Sequence, residues 1–155
     1  MSSVNLPKGM GLDLEALQEG RWFELESAPG VRVKLRPEDS REFARRRMEI
    51  MTDLGIVGDE EGPEFQRRIH EAEGELYADT LLVDWDGPFQ DEDGNDLEYT
   101  PERGASFLND DRYTPTRREI IRITRTTKRF QERKEVEVEE RVGNSSGGSS
   151  STESS

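Results

Sequence analysis

Residues 81–102 read LLVDWDGPFQDEDGNDLEYTPE. An apolar run reaches Trp85, passes through carboxylates from Asp86 to Asp96, recovers Leu97 and Tyr99, and stops at Thr100-Pro101-Glu102. The cluster has three candidate readings: a metal loop, an active site, or a turn between two packed elements. The choice decides whether the flanking segments serve a cation or fold onto one core.

A calcium loop of the EF-hand kind needs oxygen ligands at fixed positions, a glycine at position six and a glutamate at position twelve. Counted from Asp91, Asp93, Asn95 and Glu102 fall on ligand positions, but Asp96 stands where the glycine is required. Pro88 before the loop and Pro101 within it also deny it the flanking helices. A hydrolase would need paired carboxylates at fixed separation, one with a pKa raised by burial, whereas Asp91, Glu92 and Asp93 lie in an exposed turn sequence. His70 is the single histidine and has no nucleophile in a recognisable motif, so it reads as a surface residue. No phosphate-cradling glycine loop is present. The expectation is no enzyme, no cofactor and no metal. What remains is turn chemistry, with Asp93-Gly94-Asn95 tolerating tight or left-handed backbone and Phe89, Leu97 and Tyr99 returning to the core.

Upstream of the turn, Phe65, Ile69, Ala72, Leu76 and Val83 recur at helical spacing, which predicts a helix from Pro63 to about Val83 with Trp85 at its end. Gly74 within it costs about 1 kcal/mol of helix propensity, which fits close packing by a neighbour or local weakness. Downstream, Thr100-Pro101 and Thr114-Pro115 each signal a helix start. The second of these helices is expected to run on from Thr114, with its apolar signal fading after Phe130.

Further back, Trp22, Phe23 and Leu25 precede a Pro29-Gly30 turn, after which Val31, Val33 and Leu35 alternate with Arg32, Lys34 and Arg36. Period-2 alternation predicts a half-buried hairpin. A helix follows, with Pro37 in its first turn, a stripe of Phe43, Arg47, Ile50, Met51 and Leu54, and Gly55 as the stop. Arg45-Arg46-Arg47 reads as a solvated face. The expected fold is α+β and mainly α-helical: a small N-terminal β-hairpin, then about four helices, with the acidic turn between helices two and three. Residues 1–20 read as a flexible arm, 21–142 as one globular domain, and 143–155 as a disordered Gly/Ser-rich tail.

The 155 residues carry 22 Lys+Arg against 35 Asp+Glu, a net charge of -13, with 30% hydrophobic residues and no cysteine. A modest core is expected, and some apolar surface is left for a partner. Net acidity argues against nucleic acid or an anionic membrane as partner. The absence of cysteine excludes disulfides and thiolate chemistry. No secretion signal and no membrane span is legible, so a soluble cytoplasmic protein is expected. The charge is segregated: Arg117, Arg118, Arg122, Arg125, Lys128 and Arg129 follow the acidic middle of the chain. That basic stripe either lies across the acidic middle or docks a partner.

The order ADTLLVDWDG, DEDGNDLEYTPE and FLND resembles the tail assembly chaperones of long-tailed bacteriophages and prophages. The matching elements are Leu82 to Gly87, Asp91 to Asn95, Tyr99 to Glu102, and Phe107-Leu108. The resemblance spans roughly residues 20–143; Pro88 and the strongly basic final helix depart from it. It implies a protein of the bacterial host cytoplasm that binds the tape-measure protein and helps recruit major tail-tube subunits. Such a protein is absent from the finished particle and is often made in two lengths by ribosomal frameshifting. Self-association is also open. The alternatives are a small structural virion protein, such as a tail-completion or connector component, and a calcium-binding module. The partner-binding residues expected are Trp85, as an exposed aromatic anchor, and the basic stripe at Arg118, Arg122 and Arg125.

Overall fold

The alternation from Val31 to Arg36 builds the centre of a sheet. In the computed structural model, β1 (Arg21–Glu24), β2 (Arg32–Leu35) and β3 (Leu82–Asp86) pair antiparallel in the order β1-β2-β3. Phe23 lies opposite Val33, Val33 opposite Trp85, and Leu35 opposite Leu82. All five side chains are buried, while Arg32 and the β1 glutamate Glu24 face solvent. The expected hairpin is therefore present and gains a third strand.

The structure describes residues 9–55 and 62–133, with Val4 and Pro7. The expected tail at 143–155, the last turns expected before it, and most of the loop before Pro63 lie outside the described residues. The chain divides into a unit of Leu14–Phe130 and a unit of residues 1–13 with 131–155. In the latter, Leu12 and Gln131 form an isolated antiparallel bridge, and the Glu132 amide donates to the Gly11 carbonyl at 2.9 Å. All elements named here belong to the first unit, including a one-turn helix α1 (Leu14–Gln18), whose Ala16 is buried.

The third strand corrects the expectation for the quoted stretch. Helix α3 (Pro63–Thr80) stops three residues before Val83, and Trp85 sits on β3 instead of ending a helix. The Arg36 amide donates to the Leu81 carbonyl at 2.8 Å, drawing the chain beside β2 as soon as the helix ends. The acidic turn consequently joins β3 to helix α4 (Pro101–Leu108) and does not join two helices.

Helix α2 (Arg41–Leu54) begins later than the Pro37 signal suggests. The Glu38 amide is held by the Thr124 carbonyl at 3.0 Å, and Ser40 is the cap, its Oγ accepting from the Phe43 amide at 3.2 Å. Gly55 ends the helix as expected, in the left-handed conformation at φ 64°. Of the expected stripe only Phe43 is fully buried, against Tyr77; Met51 is exposed, as is Met48. The arginine run is a solvated face, with Arg45 paired to Glu42 and Glu49, and Arg46 to Glu49 and Asp79.

Thr100 and Pro101 open α4 as expected, Thr100 Oγ1 accepting from the Arg103 amide at 3.2 Å. Helix α5 (Thr114–Arg125) opens at Thr114-Pro115 but ends at Arg125, well short of the expected run. Thr126 leaves the helical region, and a 3-10 turn over Thr127–Phe130 swings Phe130 back edge-on to Phe23, ring centroids 5.3 Å apart. Val33, Leu35, Leu81, Ile120 and Phe130 are all fully buried and form the centre of the core. Each contributes about 1.5–3 kcal/mol of transfer free energy, most of it offset by chain entropy. The architecture is α+β and mainly helical.

Candidate functional site

Between the end of β3 and the start of α5, five aromatic rings lie in a chain of contacts. Trp85 stacks flat on Phe89, centroids 3.9 Å apart and planes 4° apart. Tyr99 and Phe107 meet Trp85 edge-on at 5.0 and 6.0 Å, Phe107 meets Phe89 edge-on at 5.3 Å, and Tyr113 tilts against Phe107 at 5.0 Å. Arg112 lies over the Tyr113 ring, 5.3 Å from its centroid. These rings, apart from Tyr99, line an open groove of about 540 Å³ with Ala28, Val31, Pro88 and Leu97.

The position of each ring follows from local chemistry. Trp85 faces inward on β3, and its indole Nε1 donates to the Leu97 carbonyl at 2.9 Å, so a core residue also clips the far arm of the acidic turn. Asp91 organises that turn: its Oδ1 accepts from the Asp93 and Asn95 amides, each at 2.9 Å. These hydrogen bonds, the Asn95 amide's first, hold its carboxyl below the usual aspartate range. The Leu97 amide donates to Phe89 at 2.8 Å and closes the loop. Asp91 thus spends its oxygens on the turn itself, which is the structural answer to the opening stretch. Tyr99 donates its hydroxyl to the Ala78 carbonyl, and burial pushes its pKa above the usual tyrosine value, so it serves as a neutral donor.

The groove's rim is acidic. Residues 82–113 hold ten carboxylates against two arginines. Both arginines are engaged within the same region, Arg103 donating to the Glu98 carbonyl at 2.8 Å and Arg112 pairing with Asp110 at 2.6 Å. Arg112 holds the Asp110 carboxyl down to about 2, so it is ionised across the physiological range.

The expected partner residues are placed apart. Trp85 is 8% exposed and forms the floor of the groove, not an exposed anchor. Arg118, Arg122 and Arg125 lie exposed on α5 and none lines the groove; Arg125 pairs with Glu38 at 2.9 Å. The basic stretch acts partly as packing. Arg117 is 5% exposed, and its guanidinium donates to the carbonyls of Leu108 and His70 and to the side chains of Asn109 and Glu73 at 2.7–3.2 Å. Glu119, the single acid in that stretch, accepts from the Glu26 and Ser27 amides at 2.8 Å each and from the Ser27 hydroxyl. Phe89 was legible only as an apolar residue beside the turn, Phe107 only through the helix and the resemblance, and Tyr113 not at all; nothing in their spacing marks a shared groove.

A three-stranded α+β domain with an aromatic groove under an acidic rim is the class of protein these features define. The chain belongs to the YdaY prophage protein family, which matches residues 38–144, well over half of its length. The matched span takes in α2 through α5, while β1 and β2 precede it. This is a phage-derived protein. No curated protein and no solved structure matches the chain. Among the described residues no helix is long and apolar enough to cross a membrane.

Proposed function

We propose that this prophage protein is a tail assembly chaperone that binds the tape-measure protein and helps recruit tail-tube subunits without remaining in the particle. One observation carries the reading: three of the four matching elements of the chaperone resemblance line one groove, through Trp85, Glu102 and Phe107, while the fourth, Asp91 to Asn95, forms the turn between Phe89 and Leu97. Trp85, Phe89, Leu97, Glu102 and Phe107 come from the strand, the acidic turn and the Thr-Pro-Glu helix, and all line it. An open apolar groove is the feature a chaperone needs to shield a long helical client.

The test is co-expression with the long protein encoded downstream. The chaperone reading expects this chain to raise that protein's soluble fraction, to co-purify with it, and to be missing from purified particles. Recovery of this chain in particles, with no effect on solubility, overturns the reading in favour of a structural virion component. A slippery heptamer before the stop codon, leading into a longer frame, is the matching expectation in the DNA.

A further inference from the structure

We propose that the aromatic groove receives a helical segment whose apolar stripe is flanked by lysine or arginine. The inference relies on the chaperone reading for the partner's identity, and on the groove itself for the partner's chemistry.

The partner's secondary structure follows from what the groove lacks. An extended peptide gains affinity by pairing its backbone with free groups at a sheet edge. Here the Trp85 amide is taken by Asp84 Oδ1 at 2.8 Å, the Trp85 indole by the Leu97 carbonyl, and the Leu97 amide by Phe89. With those groups consumed, a guest must satisfy its own backbone, which a helix does. A helix presents anchors at i, i+3, i+4 and i+7, and the groove offers ring faces and edges from Phe89, Phe107 and Tyr113 to receive them.

The charge follows from the rim. Glu102 and Asp110 line the groove itself, and Asp111 stands exposed beside it. Arg103 also lines the groove and Arg112 offsets Asp110, but the ten carboxylates of residues 82–113 outnumber these two arginines, so the surroundings a guest meets are net negative and flanking cations on the guest match them. An acidic amphipathic helix would meet repulsion at the same rim.

The test uses the full chain and two labelled peptides of about 18 residues, long enough to form a helix on docking. One has a leucine stripe flanked by lysine, the other the same stripe flanked by glutamate. Fluorescence anisotropy is expected to show the lysine peptide binding about tenfold or more tightly than the glutamate peptide, with affinity falling as salt rises. Ser106→Arg, at an exposed lining position, and Glu102→Lys are each expected to weaken it about fivefold or more. Ser106→Arg should leave the melting temperature unaltered, while Glu102→Lys, in the first turn of α4, should lower it slightly with the protein still folded. Asp53→Lys on α2 changes the net charge as Glu102→Lys does and is expected to leave binding within about twofold, since an exposed distant charge is screened.

Equal binding of the two peptides overturns the proposal. So does equal weakening by Asp53→Lys, which would mean attraction to net charge alone. Self-association that competes with the peptide and is abolished by Ser106→Arg overturns it too, making a second copy the occupant. Repeating the co-expression with Ser106→Arg separates the two readings. If wild-type chain fails to solubilise the long protein, the chaperone reading falls while the peptide result stands. If Ser106→Arg solubilises it as well as wild type does, the chaperone reading stands and the groove is not the client site.

Discussion

A Cβ built on Gly74 would lie 2.0 Å from Asn109 Oδ1, so α3 and the end of α4 meet with no room for a methyl group. Asn109 cannot simply swing aside. Its Nδ2 donates to the Glu71 carbonyl at 3.1 Å, and its Oδ1 accepts from Arg117 at 2.7 Å. The glycine that weakens α3 as an isolated helix is thus the condition for the polar junction joining α3, α4 and α5.

Gly74→Ala should therefore destabilise the protein although alanine is the better helix former. Overpacking costs about 1–3 kcal/mol, more than the roughly 1 kcal/mol of propensity regained. In an Asn109→Ala background the obstruction is gone, and adding Gly74→Ala should be neutral or stabilising. Urea denaturation of the four-member cycle checks this, and additive effects would mean the two residues do not meet.

Arg117 is the hub of the same junction. Removing its guanidinium takes the donor from the Leu108 carbonyl and from Asn109 Oδ1 in a poorly hydrated place, so Arg117→Met should cost about 3–5 kcal/mol. Lysine cannot reproduce the planar fork, and Arg117→Lys should recover only part of that loss. Glu73 is the contrasting partner. Its side chain is 40% exposed, so Glu73→Gln should cost under about 1 kcal/mol. Chemical denaturation separates these outcomes, and a costly Glu73→Gln would shift the weight from the buried carbonyls to the ion pair.

The hairpin was legible because Val31 to Arg36 alternate strictly, a pattern a helix cannot use. The third strand was not, and its register explains why. Val33 and Leu35 are two residues apart, yet their partners Trp85 and Leu82 are three apart, because the pairing shifts between Lys34 and Leu35. That irregularity puts two residues at i and i+3 on the buried face, which is helical spacing, directly after a true helix. Arg117 and Glu119 were missed for another reason. Their partners lie 44 and about 92 positions away, and no local pattern distinguishes a buried arginine from the exposed ones beside it.

Glu119 gives the protein a pH signature. Desolvation opposes its ionisation, but the Ser27 hydroxyl, the Ser27 and Glu26 amides and the field of Arg122 outweigh it, leaving its pKa below the ordinary glutamate value of 4.5. Between that lowered value and 4.5 the unfolded chain binds more protons than the folded one. Stability from this group is therefore present in full above 4.5 and lost as pH falls through the folded pKa. Glu119→Gln should cost about 1–2 kcal/mol at pH 7 and progressively less in acid. Melting curves of the two proteins from pH 7 to pH 3 should converge; a constant gap would show that the charge on Glu119 is immaterial.

The floor and the rim of the groove should respond differently to truncation. Trp85 is 8% exposed, stacks on Phe89 and holds Leu97 through its indole nitrogen, so Trp85→Ala should cost about 3–5 kcal/mol in the folded state itself. Trp85→Phe retains a ring over Phe89 but loses the hydrogen bond to Leu97, a smaller loss of about 1–2 kcal/mol. Tyr113 is 38% exposed, and Tyr113→Ala should change stability by under about 1 kcal/mol while weakening capture of the lysine-flanked peptide. Denaturation and anisotropy on the same three variants read both effects. A Trp85→Ala protein that remains as stable as wild type and loses only binding would make Trp85 the exposed anchor that the sequence suggested, and the floor would have to be rebuilt without it.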